Sequence, residues 1–139
     1  MSRTEDVARE IAVLMPIIAR KFFLKFFESV KLTQTQIFTI MTLADKAPCR
    51  LNELAGIMDI TPPTVTGIID RLEKLKYVKR IPDTEDRRAV NVGLTAKGEN
   101  IAKSLRTTIR DNWKDVLSKL PEEDQENYLR IIRKVVENL

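Results

Sequence analysis

The chain contains no histidine. The commonest general acid–base is therefore missing, and no Ser-His-Asp arrangement can be assembled. Cysteine occurs once, at Cys49, which rules out an intrachain disulfide framework. Glycine is held to 4 of 139 residues. That is too few for a Gly-rich phosphate loop or a turn-dense β fold. Long apolar runs are also missing. The longest, Ile11 to Ala19, is nine residues with Pro16 inside it, and Arg20 and Lys21 cut it off. A bilayer span needs about 20. No leader pattern opens the chain. These absences lead to the expectation of a cytoplasmic protein that is not an enzyme, carries no cofactor or metal, and has no membrane partner. Glu122, Glu123 and Asp124 resemble a metal cluster only superficially. Negative charge at the start of a helix accounts for them.

What remains is 43% hydrophobic and 32% charged, a balance suited to a helix-rich protein with a real core. The net charge is +4, and its placement is informative. Residues 61–98 hold 8 basic and 5 acidic groups, a net of +3, whereas residues 99–139 hold 8 of each. The basic excess lies mid-chain, not on a tail. A polyanionic partner is one reading of it, and an ordinary solvated surface is the other.

Helical periodicity starts early. Val7, Ile11, Leu14, Met15 and Ile18, then Phe22, Phe23, Phe26 and Phe27, place a helix over 4–29 with an apolar surface broader than one stripe. Such a surface needs more partners than a small domain supplies, which predicts a homodimer. Pro16 predicts a kink there, or a helix that starts late. Thr33 and Gln36 fit a capping box for a second helix carrying Ile37, Ile40, Met41 and Ala44. A short third helix follows, with Leu51, Leu54, Ala55 and Met58 inward. Asp59-Ile60 is a turn, Thr61 an N-cap and Pro62 a first helical residue. Val65, Ile68, Ile69, Leu72 and Leu75 stripe the fourth helix. The period then changes. Tyr77–Pro82 and Val90–Leu94 read as strands joined by a charged turn. Thr95 caps a long helix with Ile101, Ala102, Leu105, Ile109, Trp113, Val116 and Leu120 on one side. Leu120-Pro121 ends it. The last helix presents Leu129, Ile132, Val135, Val136 and Leu139.

Two short helices joined by a tight turn and followed by a charged hairpin describe a winged helix-turn-helix. The fold class is thus mainly α with a small β-hairpin wing. In such units the second helix lies in the major groove of duplex DNA. Here it opens Thr61-Pro62-Pro63-Thr64-Val65-Thr66-Gly67, and its outer face also carries Asp70, Arg71 and Lys74. Small hydroxyl residues allow close approach, and threonine can meet base edges, phosphates or a thymine methyl. The hairpin tip, Asp83-Thr84-Glu85-Asp86-Arg87-Arg88, places arginines where they can enter a narrow minor groove. The neighbouring acids can orient a guanidinium fork. The plainer alternatives are a mere helix start and a solvated turn with weak ion pairs. A winged helix can also serve as a protein–protein scaffold without specific DNA binding. Arg71, Lys74, Arg87 and Arg88 favour DNA.

The stretch from Thr61 to Glu73 resembles the recognition helix of the MarR family. Asp83–Arg88, Val90–Leu94 and Thr95-Ala96-Lys97-Gly98 resemble its wing and the exit into the next helix. The close likeness covers roughly residues 51–98. It implies a helical dimerisation region from residues 1–31 and 99–139, and a DNA-binding domain over 32–98. It implies a homodimeric repressor on a pseudo-palindromic operator, released by a small aromatic or anionic effector or an oxidant. Thr61, Pro62, Pro63, Thr64, Thr66, Arg71 and Lys74 would face the DNA. Arg88 would enter the minor groove with Arg87 on the backbone, and Asp70 or Asp86 would orient an arginine. The effector pocket would lie between helix 1, the helix starting near Thr33 and the base of the helix after Thr95, with Arg20 and Lys21 nearby. Zinc-sensing relatives use histidines, which this chain lacks. Peroxide-sensing ones carry a cysteine near the N-terminus. Cys49 instead is expected at a helix start, where a thiolate can be favoured, although such a cysteine is more often structural.

Overall fold

A computed structural model describes residues 2–139. The order is α1 (Arg3–Val30), α2 (Gln34–Lys46), β1 (Cys49–Arg50), α3 (Leu51–Met58), α4 (Pro62–Lys74), β2 (Val78–Pro82), β3 (Val90–Leu94), α5 (Ala96–Leu117) and α6 (Glu122–Glu137). It is mainly helical, with one small antiparallel sheet in the order β1-β3-β2.

α1 starts at Arg3, not late, and runs through Pro16 without interruption. Its first turn is fixed by a capping box, in which the Glu5 amide donates to Ser2 Oγ and the Ser2 amide to Glu5 Oε2. Proline forfeits one backbone bond and costs about 3 kcal/mol in a helix interior. The downstream half of α1 is anchored independently, because Phe22 and Phe26 are buried. α2 opens with the expected box, the Gln36 amide donating to Thr33 Oγ1 at 3.1 Å and the Thr33 amide to Gln36 Oε1 at 3.0 Å.

The core runs from Phe26 to Leu105. Ile37, Ile40 and Leu43 of α2, Leu54 of α3, Val65, Ile69 and Leu72 of α4, Val78 and Val92 of the sheet, and Ala102 and Leu105 of α5 meet in one cluster. Several members of the expected stripes lie outside it, Val116 (40% exposed) and Leu120 (42%) at the far end of the α5 stripe among them. Leu75 is 45% exposed and Val90 39%. Leu75 follows the last turn of α4, and Val90 stands at the wing end of β3, beyond the reach of the helices. Outside the core, Ile11, Leu14 and Met15 of α1 and Leu129, Ile132, Val135 and Val136 of α6 are all exposed in the protomer.

The corner after α4 positions everything downstream. Lys76 adopts a left-handed conformation (φ 67°). The Tyr77 amide donates to Leu72 O and the Lys76 amide to Glu73 O, the pattern of a Schellman stop. Thr95 then bonds across to this corner, its amide donating to Tyr77 O and its hydroxyl to Lys76 O at 2.6 Å. The start of α5 is thereby fastened to the end of α4.

β1 was not anticipated. Cys49 pairs with Val92 and Arg50 with Asn91. Cys49 therefore sits in a strand, buried, and not at a helix start. Burial, followed by the nearby Glu53 carboxylate, pushes its thiol above the ordinary value. The environment disfavours a reactive thiolate.

Candidate nucleic-acid interface

α3 and α4 pack together through a turn in which Asp59 is left-handed (φ 54°) and the Ile60 amide donates to Ala55 O. The turn releases α4 with Thr61 as the cap residue and Pro62 at the first helical position. One face of α4 is in the core. The other leaves Thr61, Pro62, Pro63, Thr64, Gly67, Asp70, Arg71 and Lys74 exposed, with Thr66 half-buried.

The hydroxyls on this face are partly engaged. Thr61 and Thr64 share a hydrogen bond of 2.7 Å, and Thr66 Oγ1 donates to Pro62 O at 3.0 Å. Each oxygen keeps accepting capacity. A methyl built on Gly67 would meet no protein atom within 4 Å. Packing within the protomer does not require the glycine.

The wing is ordered by Asp83. Its Oδ1 accepts the Glu85 amide at 2.8 Å and the Asp86 amide at 3.2 Å, while Oδ2 accepts Arg50 Nη2 at 3.1 Å. The Glu85 amide first, then the Arg50 guanidinium, hold its carboxyl below the usual carboxylate range. A depressed folded value means that Asp83 stabilises the wing above its unfolded value of about 3.9. The contribution is lost as pH falls through the lower folded value. The Asp83 side-chain carboxyl resonance should therefore titrate with its inflection below the ordinary aspartate position of about 3.9. Asp83→Ala should abolish that inflection. An inflection at the ordinary aspartate position would show that these bonds do not form in solution.

Arg87 and Arg88 stand exposed at the tip. Asp86 Oδ1 accepts the backbone amide of Arg88 at 2.9 Å. It shapes the turn that presents the arginine, and among the described residues it bonds no guanidinium. Asp70 does bond one, but the arginine is Arg80 of β2. Arg80 Nη2 donates to Asp70 Oδ1, and its Nε to Glu73 Oε1 at 3.4 Å. Arg80 and Arg50 escaped the sequence reading. A signal for Arg80 existed, since it interrupts the otherwise apolar alternation of β2. Arg50 gave none before β1 was known.

The exposed helix, the wing locked beside it and the basic tip define a winged helix-turn-helix DNA-binding regulator. The MarR family profile matches residues 32–90. YfiV of Bacillus subtilis (strain 168), an uncharacterized HTH-type transcriptional regulator, is 34% identical over 110 residues, covering 77% of this chain and 69% of its own. The HTH-type transcriptional repressor MdtR of the same organism is 26% identical over 102 residues, covering 71% and 66%. The S. aureus MepR–DNA complex superposes with a TM-score of 0.68 at 25% identity, covering 92% of this chain and 97% of that one. The chain belongs to the MarR family of winged helix-turn-helix transcription regulators, and so to DNA-binding regulators and not to enzymes. Among the described residues, no helix is long and apolar enough to cross a membrane.

Proposed function

We propose that this protein is a cytoplasmic homodimeric repressor acting on a pseudo-palindromic operator. The observation that carries the reading is the bond from Arg80 to Asp70 and Glu73. It joins β2, which leads into the wing that carries Arg88, to α4, which carries Thr64, Arg71 and Lys74 on its exposed face. In a dimer, two such α4 faces would enter successive major grooves about 34–36 Å apart, with the wings reaching the flanking minor grooves. Residues 32–98 serve as the DNA-binding part, and residues 1–31 and 99–139 as the dimerisation part.

Release by an effector is supported by two clefts. One, of about 520 Å³, lies between α1, α5 and α6, with Lys21, Phe22, Trp113 and Tyr128 in its wall. Its lining is mostly apolar and aromatic and carries both Lys21 and Asp115, which suits a small aromatic molecule without net charge. The other, of about 770 Å³, lies beside the packed contact of α2 with α5 and carries Glu99, Lys103, Arg106 and Arg110, of which Arg106 is bonded to Asp45. Arg20 is exposed on α1. A ligand that binds one spacing of the two lobes better than another shifts the population toward it.

The test is binding of purified protein to the DNA upstream of its own gene, titrated across salt, beside the same protein with Arg88→Ala. Wild type should prefer that DNA over random duplex and weaken steeply with salt. Arg88→Ala should lose most of the preference while keeping much of the non-specific binding. Failure to bind any duplex, with the fold intact, would favour a protein–protein scaffold.

A further inference from the structure

α3 begins on a residue that cannot cap it. Arg50 stands at the N-cap with the extended backbone of a cap residue, yet its side chain caps no amide. Serine, threonine, asparagine or aspartate suits that position because each brings a side-chain acceptor. A guanidinium has donors only. The helix forgoes its side-chain cap, and the arginine reaches elsewhere. Its Nη2 donates to Asp83 Oδ2 at 3.1 Å, 33 residues along the chain. Asn91 Nδ2 approaches the same oxygen at 3.5 Å. The Asp83 side chain is only 13% exposed. Its other oxygen holds the Glu85 and Asp86 amides, and Asp86 Oδ1 in turn holds the Arg88 amide. A continuous line of polar contacts thus runs from the start of α3 to the backbone of Arg88. Residues 83–89 belong to neither wing strand. Their order comes from these contacts and from two backbone bonds made by Ala89, to Asp83 and to Asp86.

We propose that Arg50 is a positioning residue for DNA recognition: it acts through Asp83 to fix the direction in which the wing presents Arg88, and meets no base itself. The inference rests on the DNA-binding reading above. A hairpin tip that samples several directions loses that freedom on entering a groove, and the entropy lost lowers the affinity for the matching site. A tip already held in one direction loses less. The place of the anchor matters. Arg50 stands where β1 turns into α3, and α3 packs on α4. The tip is thereby referenced to the helix pair, not only to the two strands that carry it. The bonds of Arg80 fasten β2 to α4, whereas Arg50 reaches the tip, which they do not. As a contribution to stability alone, a half-exposed arginine on one carboxylate is worth little, and it takes the place of a helix cap.

Arg50→Thr separates positioning from bracing. Threonine suits a paired strand residue and supplies the missing cap acceptor, so the variant should melt no lower than the wild type. Its preference for operator over random duplex, with the operator taken from upstream of the gene or selected from a random pool, should nevertheless fall by about tenfold, the order of one misread base pair. That ratio is insensitive to the fraction folded and to a uniform loss of charge. The same substitution is then made in Arg88→Ala. If Arg50 acts through the tip arginine, it should leave the remaining preference of Arg88→Ala unchanged. In Arg50→Thr the Asp83 carboxyl should also titrate closer to the ordinary aspartate position. An unmoved inflection would show that the two side chains do not meet in solution, and the proposal would be overturned. An unchanged preference would make Arg50 a brace only and overturn it while DNA binding stands. An equal fall in both backgrounds would mean that Arg50 meets DNA itself, which overturns it too. If selection yields no duplex that the wild type prefers, the broader reading and this one fall together.

Discussion

Gly98→Ala is expected to destabilise the protein by about 3 kcal/mol, at the upper end of the usual cost of overpacking. Gly98 is buried in the first turn of α5, and its amide donates to Thr95 Oγ1 at 3.1 Å. An added Cβ would lie 2.1 Å from Tyr77 O and 3.1 Å from Leu94 Cδ2. The obstacle is backbone, which no rotamer change removes. Tyr77 O is also the acceptor for the Thr95 amide, so relieving the clash means lifting α5 off the corner that anchors it. Urea denaturation measures the loss directly. A change below about 0.5 kcal/mol, the range of an inconsequential surface substitution, would mean that α5 has room at this corner. Because α5 leads from the winged unit toward α6, the variant should also lose operator affinity beyond what its unfolded fraction explains.

A still larger functional effect is expected from Ile131→Glu combined with Val135→Glu on α6. Both residues are about half exposed in the protomer, as are Leu129 and Val136 beside them. α1 adds Val7, Ile11, Leu14 and Met15, also exposed. Isolated apolar residues on a surface need no explanation, but a helix with most of its aliphatic side chains uncovered does. Each such side chain is worth about 1.5–3 kcal/mol when fully buried. In a two-fold interface every substitution also counts twice. The double variant should sediment as a monomer at micromolar concentration and bind operator at least about a hundredfold more weakly, since each half-site would then be held alone. Neither residue lies on the α4 or wing surface, so direct loss of DNA contact cannot produce that result. A variant that stays dimeric would place the interface elsewhere.

The periodic parts of the fold were legible in the sequence. Thr33 and Gln36 mark the start of α2, Thr61-Pro62 the start of α4, and Thr95 the start of α5, because caps and first-turn prolines act through local geometry. The wing was legible through the change of period at Tyr77. β1 was not, because two residues carry no alternation, and Cys49 and Arg50 become a strand only by pairing with Val92 and Asn91. The late start of α1 offered as one outcome of Pro16 does not occur, because its cap at Ser2 and the buried Phe22 and Phe26 further on hold a helix that is continuous through the proline. On the interface, the exposed residues of α4 followed from the apolar stripe on its other side. The partner of Asp70 did not. Asp70 and Arg80 meet because β2 folds back beside α4, which is a tertiary fact.

The sheet has two open margins, and both are short of opportunities for another chain. β1 offers two residues before the backbone turns into α3. The outer margin of β2 carries exposed Lys79 and ends at Pro82, which has no N–H to offer. A lysine and a proline on a free strand edge are devices that natural sheets use against edge-to-edge association. The hairpin can therefore project from the body without recruiting strands from neighbouring molecules. At high concentration, as during synthesis from a strong promoter, self-association is thus steered away from fibrous β assembly and left to the helices.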